Sequence, residues 1–83
     1  MYSPGCIKER KVDYYGNDIL HKVVGVGQEE ACAELCALTA DGFFWTLDVH
    51  GTCWVKSSDN GKATHESAVS GNRECGTPGL PLF

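Results

Sequence analysis

The sequence predicts a small α+β domain: a single α-helix packed on a curved antiparallel sheet of about five strands, stapled by disulfides. Three observations lead there. Only the stretch 28–38 has the apolar spacing of a helix. Short β-branched and aromatic runs alternate with turn signals elsewhere. Five cysteines stand in only 83 residues, a density typical of exported domains too small to rest on a hydrophobic core alone.

Length and composition set the outer bounds. A chain of 83 residues holds one domain. An apolar fraction of 42% fits a folded chain. Eleven acids against seven bases leave a net charge of −4. That balance argues against nucleic acid, which needs a basic stripe, and against an anionic membrane surface. No apolar run is long enough to span a bilayer, and no charged-then-apolar leader begins the chain. The sequence therefore reads as a module of a longer exported protein, with secretion inferred from the cysteines.

The elements follow in order. Residues 1–5 form an extended lead-in through Pro4 and Gly5. Cys6–Asp13, with Lys8, Glu9, Arg10 and Lys11, reads as an edge strand, whose charges block sheet-to-sheet pairing. Tyr14 to Asp18 has turn chemistry. Ile19–Val24 is a short β-branched strand. Gly25-Val26-Gly27 interrupts, with Gly27 as the expected N-cap. Gln28–Leu38 is the helix, with Glu29 and Glu30 suiting the positive end of its dipole and Cys32, Leu35 and Cys36 on one stripe.

Asp41-Gly42 turns the chain into Phe43–Leu47, a strand that forms a hairpin with Thr52–Lys56. Alternation allows either Phe43 with Trp45 or Phe44 alone to face the core, and Phe43, Trp45 and Leu47 are the expected set. Phe44 then lies on the opposite face, to be covered by a second layer or the N-terminal segment. Ser57–Glu66 is expected to be an exposed loop and Ala68–Cys75 a closing strand. The Pro/Gly-rich stretch 77–83 reads as a linker to a following module.

Cysteine spacing alone leaves the pairing open. Cys32 and Cys36, four apart on one helix, have Cβ atoms about 5–6 Å apart, too far for an undistorted bridge. Any four bridged cysteines allow three connectivities. The order Cys6, Cys32-x3-Cys36, Phe43, Cys53-Trp54-Val55-Lys56, Ser70-Gly71, Cys75 resembles the PAN/apple domain over residues 6–76. The words Val12-Asp13-Tyr14 and Gly16-Asn17-Asp18-Ile19 resemble the version found in apicomplexan microneme adhesive proteins.

That resemblance implies an antiparallel sheet cradling one helix. It implies the bridges Cys6–Cys75 and Cys32–Cys53. The family's fourth cysteine falls where this chain has Gly42, which implies that Cys36 is a free thiol beneath the helix. In the chain-entropy model, the two implied bridges contribute roughly 4.4 and roughly 3.4 kcal/mol before allowance for their nesting. The missing third would close about seven residues and contribute roughly 2.4 kcal/mol.

Other residue sets suggest other chemistry. Cys32, Cys36, His50 and Cys53 have the types and number of a structural zinc site, though such a site strands Cys6 and Cys75. His65-Glu66-Ser67 has the composition of a triad, but adjacent residues do not converge on one atom. Gly25-x-Gly27 before a helix lacks the further glycines of a phosphate loop, and Glu29 and Glu30 repel an anion. The sequence thus points to no catalytic residue, cofactor or metal.

The candidate ligand-binding residues are Trp54, a strand aromatic turned away from Cys53, and the donors Lys56, Lys62 and His65. Relatives that the chain resembles attach parasites to host cells or assemble with other adhesins, and some bind galactose-type glycans. The resemblance therefore implies an adhesion module secreted through micronemes. It docks a protein partner, another adhesin or a host-cell receptor. The alternative is a lectin for a cell-surface glycan.

Overall fold

The computed structural model describes residues 5–76. The linker expected at 77–83 and all but the last residue of the lead-in lie outside them. The elements run β1 (Lys8–Tyr14), β2 (Asp18–Val23), α1 (Glu29–Leu38), β3 (Phe44–Leu47), β4 (Thr52–Lys56) and β5 (Lys62–Asn72), then a 3-10 turn (Arg73–Gly76). The five strands form one sheet in the order β1-β5-β3-β4-β2, with every neighbouring pair antiparallel. The chain is therefore a small α+β domain with one helix and a five-stranded antiparallel sheet.

Both sheet edges suit exposure in different ways. The β1 edge is charged, and its register with β5 shifts between Arg10 and Val12, where Lys11 takes a φ of 61°. Such a bulge interrupts an edge that could otherwise template another chain. The β2 edge also breaks register, between Asp18 and Leu20. Its alternate side chains divide: Leu20 packs against the core while Ile19 and Val23 stay exposed.

Antiparallel pairing puts opposed residues on one face. Trp45 opposes Val55 and Gly71, and Leu47 opposes Cys53. These side chains meet Cys32, Ala33 and Cys36 of α1 and Cys75 to form the core. Trp45 is fully buried and donates its indole N–H to the Asn72 carbonyl at 2.8 Å. Residue 71 has to be glycine here, because a Cβ would sit 2.6 Å from Trp45 Cζ2. The disulfide Cys32–Cys53 ties α1 to β4, and Cys6–Cys75 ties the entry of β1 to the 3-10 turn. Both are the pairs that the resemblance implies.

Ionic contacts fix the ends of α1. Glu29 in its first turn receives Lys8 at 3.1 Å and Arg10 at 2.9 Å, joining the helix to β1. At the other end the Arg73 guanidinium donates to the Ala37 carbonyl at 2.9 Å, satisfying one of the terminal acceptors. The N-cap is Gln28, not Gly27, and it makes no side-chain capping bond.

Three expectations need correction. Phe43 is not in the core: it precedes β3, is 45% exposed, and its ring lies 5.4 Å beneath the Arg73 guanidinium. Trp45 and Leu47 hold the core side without it. The stretch 57–66 is not a loop throughout, because β5 begins at Lys62 and runs for 11 residues. Its polar first half pairs with Val12–Tyr14 but buries nothing, so no hydrophobic pattern reveals it. The closing strand ends at Asn72, and the 3-10 turn carries Cys75 to its partner. Phe44 does lie on the far face, where Tyr14 of β1 meets it edge-on at 5.7 Å.

Candidate functional site

The sheet face away from α1 carries the polar chemistry. Thr46 opposes both Trp54 and Ser70 across the strands, so all three share that face. Thr46 and Ser70 hydroxyls hydrogen-bond at 2.7 Å, and Ser70 also donates to the Val12 carbonyl at 2.6 Å. This closed pair lets two buried hydroxyls floor the sheet without loss. Above it opens a cleft of about 360 Å³, within the size range of small-ligand sites. The floor is Thr46 and Ala68, and the walls include Trp54, Lys56 and His65. Asp13, Tyr15, Gly16, Asp18 and Asp48 complete the rim.

Each wall is positioned by a local device. Asp48 follows β3 directly and organises the β3–β4 hairpin. Its Oδ1 accepts the backbone N–H of His50 at 2.9 Å and of Thr52 at 3.0 Å, while its Oδ2 accepts the Trp54 indole N–H at 3.0 Å. Burial pushes the Asp48 carboxyl up, but these three bonds outweigh it and hold the group below its ordinary range. Trp54 stacks on His21 of β2, with ring centres 4.6 Å apart. The indole is thus held at its edge by Asp48 and on its face by His21.

The opposite wall depends on Lys56. The residue is only 3% exposed, and its ammonium reaches the Asp18 carboxylate at 2.5 Å and the Gly16 carbonyl at 3.2 Å. Those bonds pin the turn between β1 and β2, where Gly16 and Asn17 take positive φ values of 87° and 59°. A buried ammonium is tolerable only with such partners.

The structure brings three of the four candidate residues together. Trp54, Lys56 and His65 line the cleft; Lys62 does not. Lys62 instead pairs with Glu9 at 3.2 Å and Asp59 at 3.6 Å, and lies 5.6 Å over the Tyr14 ring. Sequence reasoning missed the three aspartates, Tyr15 and the His21 stack. Asp48 had a readable signal, since an aspartate opening a hairpin loop accepts backbone N–H groups two residues on. His21 had none, because strand pairing alone brings it to Trp54.

The competing chemistries separate on geometry. The Cys32–Cys53 bridge uses two of the four proposed zinc ligands. Among the described residues no three metal-binding side chains converge. His65 Nδ1 accepts the backbone N–H of Ser67 at 3.3 Å, not its hydroxyl, and all three residues of the would-be triad are exposed on β5. Cys36 makes no bridge and is fully buried. Its thiol donates to the Phe44 carbonyl at 3.4 Å, and burial pushes its pKa up to about 12 against the opposing pull of Arg73. A thiol held protonated is a poor nucleophile.

No family model matches the chain, and no curated protein or solved structure shows significant similarity to it. No helix among the described residues is long and apolar enough to cross a membrane. Two disulfides suit an oxidising, extracellular setting.

Proposed function

We propose that the chain is an extracellular adhesion module of the PAN/apple type that binds a sugar in the cleft opposite α1 and performs no catalysis. The observation that carries this is the mixture of groups around Trp54. A sugar hydroxyl both donates and accepts, and the cleft offers Lys56 as a donor beside the carboxylates of Asp13 and Asp18. Trp54 supplies an aromatic wall for the apolar side of a pyranose ring. The cysteine order and the resemblance to microneme adhesins support secretion by that route and a role in host-cell attachment.

The test is a titration of the isotopically labelled chain with methyl β-galactoside at millimolar concentration. Shift changes should cluster at Trp54, Lys56, Asp18 and His65. No change with galactosides, followed by no binding across a glycan array, would end the sugar reading.

Protein docking is the second reading, favoured by a separate observation. Val23 and Val26 are each 70% exposed and Val49 is 52% exposed. Val24 and Gly25 both donate backbone N–H groups to the Gly51 carbonyl, which brings these segments to one end of the sheet. Exposed apolar side chains gathered this way suit a partner surface. Hydrogen-exchange footprinting with partner adhesins should show protection at that end; unchanged exchange throughout counts against it.

A further inference from the structure

We propose that the cleft selects neutral sugars and rejects acidic ones, with Lys56 as the donor that fixes the ligand and the uncompensated carboxylates of Asp13 and Asp48 as the groups that set the charge selection. This rests on the sugar-binding reading above. It names the chemical class within it.

The donor is built into the sheet. Lys56 is 97% buried by its 3% residual exposure, yet it lines the cleft. Its ammonium has three protons. Asp18 and Gly16 accept two of them. Among the described residues the third has no protein acceptor, so a ligand oxygen can take it. A donor held on two fixed partners costs little conformational entropy to engage.

The charge around that donor is negative. The cleft lining holds three carboxylates, Asp13, Asp18 and Asp48, against the single ammonium of Lys56. Lys56 is already neutralised by Asp18 at 2.5 Å, so it offers an incoming anion little net attraction. Asp48 spends both oxygens on Trp54, His50 and Thr52 but keeps its charge. The Asp13 carboxylate makes no hydrogen bond or ion pair among the described residues, and Asp18 has a second oxygen outside its bond to Lys56. Both can accept from ligand hydroxyls. Asp13 and Asp48, whose charges no cation in the cleft offsets, face a sugar carboxylate or sulfate with like charge. The chain's net charge of −4 adds to that repulsion at longer range. The carboxylates do not converge on a shared cation position among the described residues, so they act as separate acceptors.

The experiment compares methyl β-galactoside with the matching galacturonide, which differ only by a carboxylate at C6, on the oxidised chain at pH 7. The neutral sugar should bind at least about tenfold more tightly. Asp13→Asn should narrow that ratio, and so should 0.5 M salt, about which screening predicts a Debye length near 4 Å. Equal affinities, tighter binding of the acid, or a ratio untouched by both salt and Asp13→Asn would overturn the charge selection. Binding of neither sugar nor of any glycan would instead remove the sugar-binding reading on which it rests.

Discussion

The Trp54 indole N–H donates to Oδ2 of Asp48 at 3.0 Å, so the aromatic wall of the cleft and the hairpin turn beneath it share one carboxylate. Removing that acceptor affects both. Asp48→Ala frees three donors at once, two of them backbone N–H groups. Hydrogen bonds to a charged group contribute about 1.5–3 kcal/mol each when singly broken, though not additively. Asp48→Ala should therefore lower unfolding stability by about 2–3 kcal/mol, and Asp48→Asn by less, because an amide oxygen still accepts. Urea denaturation followed by tryptophan fluorescence measures both. A loss for Asp48→Ala below about 0.5 kcal/mol would contradict the shared-acceptor account.

Acid should unfold the domain through carboxylates of this kind. Asp48 lies below its ordinary range for the reasons given above. Glu29 does too: burial raises it, but the bonds from Arg10 and Lys8 prevail. Each group binds its proton less readily folded than unfolded. Its stabilisation is therefore complete above the ordinary carboxylate range, about pH 4–4.5, and is lost as pH falls through the lowered folded value. The urea midpoint should stay level from neutral pH to about 5 and fall below about 4. Glu29→Gln should flatten that fall. A midpoint that holds steady to strongly acid pH would show that neither carboxylate matters to folding.

The local packing at Gly42 leaves no room for a cysteine. A Cβ at 42 would stand 2.7 Å from the Cys36 carbonyl oxygen and 2.8 Å from Val55 Cγ1. Overpacking of this sort costs about 1–3 kcal/mol. Gly42→Ala should lower the midpoint accordingly. Gly42→Cys should do no better, and after air oxidation it should still carry two free thiols by mass spectrometry of the alkylated chain. A third bridge with raised stability would mean the surrounding backbone yields easily.

Much of the fold was legible because its signals are local. The helix had both an apolar stripe and acids in its first turn, and β3 and β4 had aromatic and β-branched runs around a short loop. The charges of β1 read correctly as an edge. What stayed hidden depends on partners distant in sequence. The first half of β5 buries no side chain, so its polar residues look like a loop until β1 pairs with them. Phe43 shares parity with Trp45, yet Arg73, 30 positions on, draws its ring outward. The site was half legible. Trp54 and Lys56 stood on a readable strand, whereas the acidic rim collects from β1, the start of β2 and the β3–β4 turn in a way that no linear spacing records.

Cys36 should behave as a core side chain, not as a thiol. It is fully buried, and its thiol is pushed up to about 12. The native chain should resist iodoacetamide at pH 8, the unreduced denatured chain should take one label, and the reduced denatured chain five. The raised value also has a sign in pH. From the ordinary thiol value of 9.0 to about 12 the folded chain keeps a proton that the unfolded chain releases, so stability falls as pH rises through that window. Cys36→Ala should reduce that alkaline slope. Rapid labelling of the native chain would show that the helix opens over Cys36 far more often than its burial implies.

The two bridges should fail in a set order. Cys32 and Cys53 are both fully buried between α1 and β4, whereas Cys6 is only half-buried at the start of the described chain. Reductant reaches a disulfide by direct approach of a thiolate to sulfur, so access governs the rate. Mild dithiothreitol should open Cys6–Cys75 first and leave Cys32–Cys53 intact while the sheet stays folded. The thermodynamic effect of that first step is large, since the bridge spans 69 positions against 21 for the other. Chain entropy assigns it about 4.4 kcal/mol, against about 3.4 for the shorter loop. The singly reduced species should thus keep its native near-ultraviolet signal at low temperature but unfold at a much lower one. Peptide mapping after timed alkylation reads the order directly. Equal loss of both bridges, or loss of Cys32–Cys53 first, would mean that reduction proceeds through global unfolding and that burial between α1 and β4 protects nothing.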